Sequence, residues 1–241
     1  HRDKCILQGS GTATFETALP IDHKDACVKN LTVSGFESSA WYNYHGAGVR
    51  INAGTLTQAR VTGCKATGGN RAAGISMEGD EAVMTHCLID HNEVKASNGI
   101  GGVLFRNQTN GGTMVNCLVW ANSGVNAGGV GIISPNAWKP VKIVNCTIVG
   151  NTATTRGGGL AHGADYVSAK DGPWVVNTII ADNTAPNGAD IYFNSDASRN
   201  FTGYNCLCPS LTGDDASGAN PQRGSPLFAD AANGDFHLLP D

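Results

Sequence analysis

Apolar and polar residues alternate along this chain in short bursts, and the bursts recur at a nearly constant interval. Small residues lead into alternating positions in Ala47-Gly48-Val49-Arg50-Ile51, Ala73-Gly74-Ile75-Ser76-Met77, Gly101-Gly102-Val103-Leu104-Phe105, Gly128-Gly129-Val130-Gly131-Ile132, Gly158-Gly159-Leu160-Ala161-His162 and Ala189-Asp190-Ile191-Tyr192-Phe193. Taken at its second residue, the pattern falls at 48, 74, 102, 129, 159 and 190, so the repeat is 26 to 31 residues long. Alternation with period two predicts strands. A strand-rich unit of this length cannot bury its apolar side by itself, so successive copies must stack. The pattern predicts an all-β solenoid.

A second landmark lies between these segments, at Asn30, Gly63, His86, Asn116, Asn145, Asn177 and Asn205. Asn tolerates left-handed backbone angles and can hydrogen-bond a stacked copy of itself, which suits a sharp corner repeated coil after coil. A third landmark follows six residues later: His86 to Asn92, Asn116 to Asn122, Asn145 to Asn151 and Asn177 to Asn183. A constant interval there predicts a strand of constant length. Each coil reads as a Gly-led strand, a variable loop, a strand such as Val141 to Val144, the Asn corner, a strand such as Cys146 to Val149, and a turn over 150–153. The prediction is a right-handed, single-stranded parallel β-helix of about six to eight coils with three strands per coil. One domain spans 1–241, with irregular first coils over 1–35, regular coils over 36–205 and a Gly-, Pro- and Asp-rich C-terminal cap over 206–241.

Composition narrows the choice little further. Charged residues are 15% and aromatics 7% of 241, with 32 glycines, a balance that suits tight turns rather than a helical bundle. A net charge of −4 gives no basic footprint for nucleic acid. No apolar run reaches the roughly 18 residues of a membrane span. The chain opens at His1 without a basic-plus-apolar leader, so any signal peptide is expected to have been removed already. Of eight cysteines, Cys64, Cys87, Cys117 and Cys146 read as one repeat position, continued by Thr178 and Cys206. Equivalent positions in adjacent coils lie about 4.8 Å apart, which predicts a ladder of buried thiols rather than a metal cluster. Cys5 with Cys27 and Cys206 with Cys208 are the pairs to test for a disulfide.

The Gly-Gly-aliphatic segments, the Asn-Cys-Thr-Ile-Val-Gly-Asn-Thr run at 145–152, and the terminal Pro226-Leu227-Phe228-Ala229-Asp230 with Asn233-Gly234-Asp235-Phe236-His237-Leu238 carry a family resemblance. The chain resembles secreted bacterial right-handed β-helix repeat proteins, including those related to chlamydial polymorphic outer-membrane proteins and to pectate-lyase-like β-helices. The resemblance covers nearly the whole chain. It implies a secreted or cell-surface location. It leaves activity open, because the fold hosts lyases, hydrolases, adhesins and scaffold modules.

In enzymes of this fold the substrate usually lies along the outward face of the Gly-led strand. Alternation sends Arg50, Ser76, Leu104, Gly131, Ala161 and Tyr192 outward, then Asn52, Glu78, Arg106, Ile133, Gly163 and Asn194. The candidates for catalysis are Arg50, Glu78, Arg106 and the loop residue Lys170. His45, His91, Arg156, Asp165 and Asp171 are further loop groups. Lyase chemistry needs a base and a cation for the enolate-like intermediate; a hydrolase needs two spaced carboxylates. This face offers one carboxylate, Glu78, flanked by Arg50 and Arg106, which also reads as a plain cross-strand charge ladder. The signatures of polygalacturonase-type hydrolases are absent. Tyr192, Asn194 and Asn52 are candidates for glycan contact. No carboxylate run has calcium-site spacing, so no metal or other cofactor is expected. An apolar stripe of Leu88, Leu118, Trp120, Val149 and Ile179 faces outward after the Asn corner, and marks either a partner surface or a strip covered by the chain's own segments. The expected function is an extracellular structural or adhesive module within a larger protein or assembly, with self-association or a surface ligand as its partner. Polysaccharide lyase and non-catalytic glycan binding are the alternatives.

Overall fold

The computed structural model describes residues 5–10, 12–13, 17–40, 45–68, 72–106, 111–133, 140–163, 173–193, 202–212, 222 and 224–239. These residues build a parallel β-helix in which the strands of each wall pair with their counterparts one coil away. Three walls enclose the core. The long wall is a sheet of 12 strands that carries both the Gly-led segments and the strands before the Asn corner. In the early coils the two run together as Leu19–Lys29, Val49–Thr57 and Ile75–Thr85; later they separate, as Val103–Arg106 and Thr113–Val115 do. The corner wall has seven strands of three residues, from Ile6–Gln8 to Ile179–Ala181. The short wall has six strands of two residues, from Thr12–Ala13 to Thr152–Ala153, so the predicted turn over 150–153 contains a strand of its own.

The Gly-led strands from Val49 to Ile191 mark about five turns, slightly fewer than six to eight. Incomplete coils at the ends supply the difference, since the strand count of the sequence pattern includes coils that lack a full set of walls.

Two columns of left-handed residues set the cross-section. Asn30, Gln58, His86, Asn116, Asn145, Asn177 and Asn205 have φ between 48° and 59°. Five residues further on, Gly35, Gly63, His91, Ala121, Gly150 and Asp182 have φ between 52° and 68°. The three-residue corner wall therefore sits between two sharp bends. The corner of the second coil is Gln58, not Gly63, because Gln58 N donates to Thr85 O as its neighbours pair Thr57 with Thr85. Gly63 belongs to the second column instead.

The same shift moves Cys64. It lies under Asn92, whose Oδ1 accepts from Cys64 N at 3.0 Å, and not in the cysteine column. The cysteine column runs Cys5, Leu31, Ala59, Cys87, Cys117, Cys146, Thr178, as the carbonyls accepting from the next strand show. Within it, the thiols of Cys87, Cys117 and Cys146 each donate at 3.2 Å to the carbonyl two residues back, across the bend. Thr178 Oγ1 makes the same bond at 2.9 Å. None of the eight cysteines is joined in a disulfide. Cys5 heads the inward column while Cys27 pairs with Thr55 on the long wall, so the two occupy different walls. Cys206 and Cys208 each donate a thiol elsewhere, Cys206 to Val175 O at 3.1 Å and Cys208 to Ser210 O at 3.7 Å.

The asparagines that stack in the interior are those of the third landmark. Asn92, Asn122, Asn151 and Asn183 are buried, and the Oδ1 of Asn122, of Asn151 and of Asn183 each accepts from both the N–H and the Nδ2 of the asparagine one coil earlier, at 2.9 to 3.0 Å. Asp190 ends the ladder, accepting from Asn183 N and Nδ2 at 3.1 Å. A carboxylate suits that place, where an acceptor is needed and no donor. The corner asparagines, Asn145 included, are exposed. Asn116 still reaches His86 Nε2 at 3.0 Å and Asn205 reaches Asn177 Oδ1 at 3.2 Å.

The core is continuous from Ile21 to Cys208. Every position that alternation sent inward on the Gly-led strands is buried, His162 among them. The C-terminal cap closes with an antiparallel hairpin, Phe228–Asp230 with Asp235–Leu238, joined by a 3-10 turn over Ala231–Asn233 that Asp230 caps and that left-handed Gly234 ends.

Candidate functional site

The outward face of the Gly-led strands divides into two parts. In register, Pro20, Arg50, Ser76, Leu104, Gly131, Ala161, Tyr192 and Thr212 form one column. From Leu104 to Ala161 this column is covered. Leu104, Ala161 and Ile133 are buried in a second apolar cluster with Ala72, Ile100 and Ala127, contributed by the segments that enter each coil. A Cβ on Gly131 would fall 2.5 Å from Ile100 Cδ1, so the glycine is what lets Ile100 lie there. Gly131 and Ala161 are small because something packs on them. Tyr192 borders this cluster, half-buried, with the Arg156 guanidinium 5.4 Å from its ring centre.

The other part is polar. Glu78 Oε1 accepts from Ser76 Oγ at 2.8 Å and meets His45 Nδ1 at 2.6 Å. Ser76, fully buried, accepts in turn from Gly46 N at 2.8 Å, which fixes the segment carrying His45. The other ring nitrogen, His45 Nε2, lies 3.4 Å from Arg50 Nη1. Arg50 Nη2 donates to both oxygens of Asp22 at 3.0 Å. The side chains of His45, Glu78 and Arg50 are 18%, 12% and 21% exposed, against 49% for Asp22. Four ionisable groups from three distant segments thus lie along one line, with the carboxylates of Glu78 and Asp22 at its ends and His45 beside Arg50 between them. Such a line orients the imidazole by its Nδ1 and sets its Nε2 beside a guanidinium.

Irregular strands bring this about. The pairing of Ile21 with Ile51 is followed by Asp22 with Ala53 and then Cys27 with Thr55. Ile51 with Met77 is followed by Ala53 with Glu81. Bulges in adjacent coils therefore coincide at Asp22, Asn52 and Glu78, and bulges re-aim side chains. Asn52 is exposed. Arg106 follows Phe105, the partner of Met77, and is half-buried. Lys170, Asn194, Asp165 and Asp171 lie outside the described residues.

A second network buttresses the corner wall. Asp90 is buried and accepts from Arg60 Nε and Nη2 at 2.8 and 2.7 Å, from Thr62 Oγ1 at 2.9 Å, and meets His91 Nδ1 at 2.8 Å. Burial pushes its carboxyl up, but these hydrogen bonds and the Arg60 charge outweigh that and hold it below the usual value. His91 stands edge-on to Trp120 with ring centres 4.8 Å apart. Trp120 meets Phe236 at 5.5 Å, and Phe236 meets Phe228 at 5.2 Å. The C-terminal hairpin thus covers the Trp120 part of the apolar stripe. Leu88, Leu118 and Ile179 are half-buried and Val149 is buried. A cavity of about 230 Å³ opens between hairpin and wall, lined by Leu118, Thr147, Gly234, Asp235, Phe236 and His237.

Sequence reading named Arg50 and Glu78 as candidates and His45 only as one of several loop groups, and missed its place between them. His45 and Glu78 are 33 positions apart with no motif joining them, and only the stacking of coils makes them neighbours. Trp174, 46% exposed on the long wall with Lys142 Nζ 5.6 Å from its ring, was also missed, though alternation with buried Val175 places it outward. Among the described residues no group of three or more His, Cys, Asp or Glu side chains is placed to hold a metal ion. No family model matches this chain, and neither a curated protein nor a solved structure matches it.

Proposed function

We propose that this chain is a structural or adhesive β-helix module of an extracellular or cell-surface protein, acting within a larger protein or assembly. The observation that carries this reading is the roof over the Gly-led face. Ile100 and its neighbours close the middle coils, where a polysaccharide enzyme of this architecture would need an open cleft. The extracellular placement rests on the family resemblance. The test is to incubate the purified chain with a panel of acidic and neutral polysaccharides, following both retention on the immobilised polymer and the absorbance of unsaturated products. A module retains or ignores the polymer without turning it over. Turnover that disappears in Arg50→Ala or Arg106→Ala overturns the proposal.

One observation favours a second reading, non-catalytic binding of an acidic glycan: the His45, Glu78, Arg50 and Asp22 line on the first coils of the same face.

A further inference from the structure

We infer that the cavity between the C-terminal hairpin and the corner wall is a binding site for one neutral sugar ring. The site goes beyond the readings above and is independent of them, since it lies on a different wall from the Gly-led face. Its position follows from how the hairpin is seated. Phe236 stands edge-on to Trp120, and a Cβ on left-handed Gly234 would fall 3.3 Å from the indole, so the hairpin turn rests on that ring. Next to this contact about 230 Å³ is open over Leu118 and Thr147. That is below the roughly 300 Å³ at which pockets begin to enclose drug-sized molecules, which limits the occupant to a single ring.

The wall marks the same place. In register, Leu88, Leu118, Thr147, Ile179 and Leu207 form one outward column, and its one hydroxyl falls at the cavity. A column that served only to seat a hairpin would gain from Ile or Leu there, which bury more apolar surface. The hairpin adds two polar groups. Asp235 Oδ1 accepts from His237 N at 3.1 Å and also meets His237 Nδ1. These bonds hold the carboxyl below its usual value, so it is ionised at neutral pH and can only accept, which makes His237 Nδ1 the donor. Both bonds fall on Oδ1, and Oδ2 takes part in neither.

Together these groups specify a class of ligand. Asp235 Oδ2 accepts hydrogen bonds, the Thr147 hydroxyl gives or takes one, and His237 Nε2 accepts when neutral and donates when protonated. A ligand hydroxyl answers all three, because it too both donates and accepts, and so it binds whichever way the imidazole titrates. Leu118 and Phe236 add apolar surface for the C–H face of a pyranose. An apolar ring would strip water from three polar groups without replacing it, and an acid would meet the Asp235 charge.

The experiment adds glucose, galactose, mannose, their methyl glycosides, cyclohexanol and sodium acetate to the full chain. Amide shifts at Leu118, Thr147 and 234–237 report occupancy, and amide exchange over 228–238 reports whether the hairpin is seated. The expected result is saturable shifts with at least one hexose at millimolar concentration, and none with cyclohexanol or acetate. Binding of the methyl glycoside together with the free sugar identifies the end of a glycan chain as the source, and binding of the free sugar alone identifies a dissolved sugar. Asp235→Asn and Thr147→Val should each weaken binding about fivefold or more. Thr147→Ile should abolish it while exchange over 228–238 is unchanged or slower, a split that a threonine serving only the packing would not give. Trp174→Ala should bind as wild type. If Asp235→Asn unseats the hairpin, the two Thr147 variants decide. The site is overturned if no hexose moves these amides, if cyclohexanol binds as well as the sugar, or if Thr147→Ile binds like wild type.

Discussion

Single residues in this protein differ sharply in what they sustain, even when they share a type. Asn116 and Asn122 both recur once per coil, yet the first is an exposed left-handed corner and the second a buried link in the amide ladder. Asn122→Ala strips an acceptor from Asn92 N and Nδ2 and a donor from Ile89 O and Asn151 Oδ1. It should cost about 3 kcal/mol or more, since buried groups left unsatisfied lose their full desolvation penalty. Asn116→Ala should cost only about 1 kcal/mol, the left-handed preference of Asn over Ala. Urea unfolding of both variants checks the contrast. His162 is buried edge-on to Phe193, 5.8 Å between ring centres, and burial lowers its pKa from 6.5 to about 4. Its folded pKa lies below the unfolded one, so the unfolded chain binds the extra proton first. Stability is therefore complete above pH 6.5 and declines as pH falls toward 4, by about 3 kcal/mol in all. Asp190 works in the opposite direction: burial raises its carboxyl despite the donors from Asn183 and Ser210, so its contribution grows as pH falls. Comparing wild type with His162→Leu across that range isolates the histidine, and the variant should lose the slope.

At the scale of elements, each wall owes its length to the bends that bound it. The corner wall holds three residues in every coil because left-handed residues stand five apart in both columns. The interval of six to the buried asparagine was readable in sequence for that reason. The offset of the second coil was not. Gln58 and Cys64 lack the Asn-Cys and Asn signals, and Gly63 matched the wrong bend because glycine serves either. The C-terminal hairpin is an element of another kind. Its described contacts with the solenoid are side-chain contacts centred on Trp120 and Phe236, with Gly234 lying against the indole. Phe236→Ala should release it: amide exchange over 228–238 rises by tenfold or more while the midpoint of solenoid unfolding moves by under about 1 kcal/mol, as expected for a locally stable unit. A hairpin that stays protected in Phe236→Ala means that other contacts hold it.

The whole molecule is a column in which each coil borrows its interior from its neighbours, and chemical access follows from that. Cys64, Cys87, Cys117, Cys146, Cys206 and Cys208 are buried, while Cys5 and Cys27 are exposed. Burial pushes the Cys64 thiol up to about 11 and the Cys117 thiol well above its ordinary value. A thiol reagent added to native protein at neutral pH should therefore modify two cysteines at once and the other six only as the column opens. Three or more fast-reacting thiols would contradict the ladder. The polar line and the covered apolar face lie on one wall of this column.

What the chain's own pattern determined is the local and repetitive part. Period-two alternation, the repeat near 28 residues and the fixed interval of six demand stacked parallel coils, because no single coil can shelter its apolar side. They also named every inward position of the Gly-led strands, since facing is a property of neighbours in sequence. The tertiary structure alone decided what lies against the outside. Ile100 over Gly131, the hairpin on Trp120 and His45 beside Glu78 join residues whose separation carries no period, and their contacts exist only once coils and excursions have taken their places.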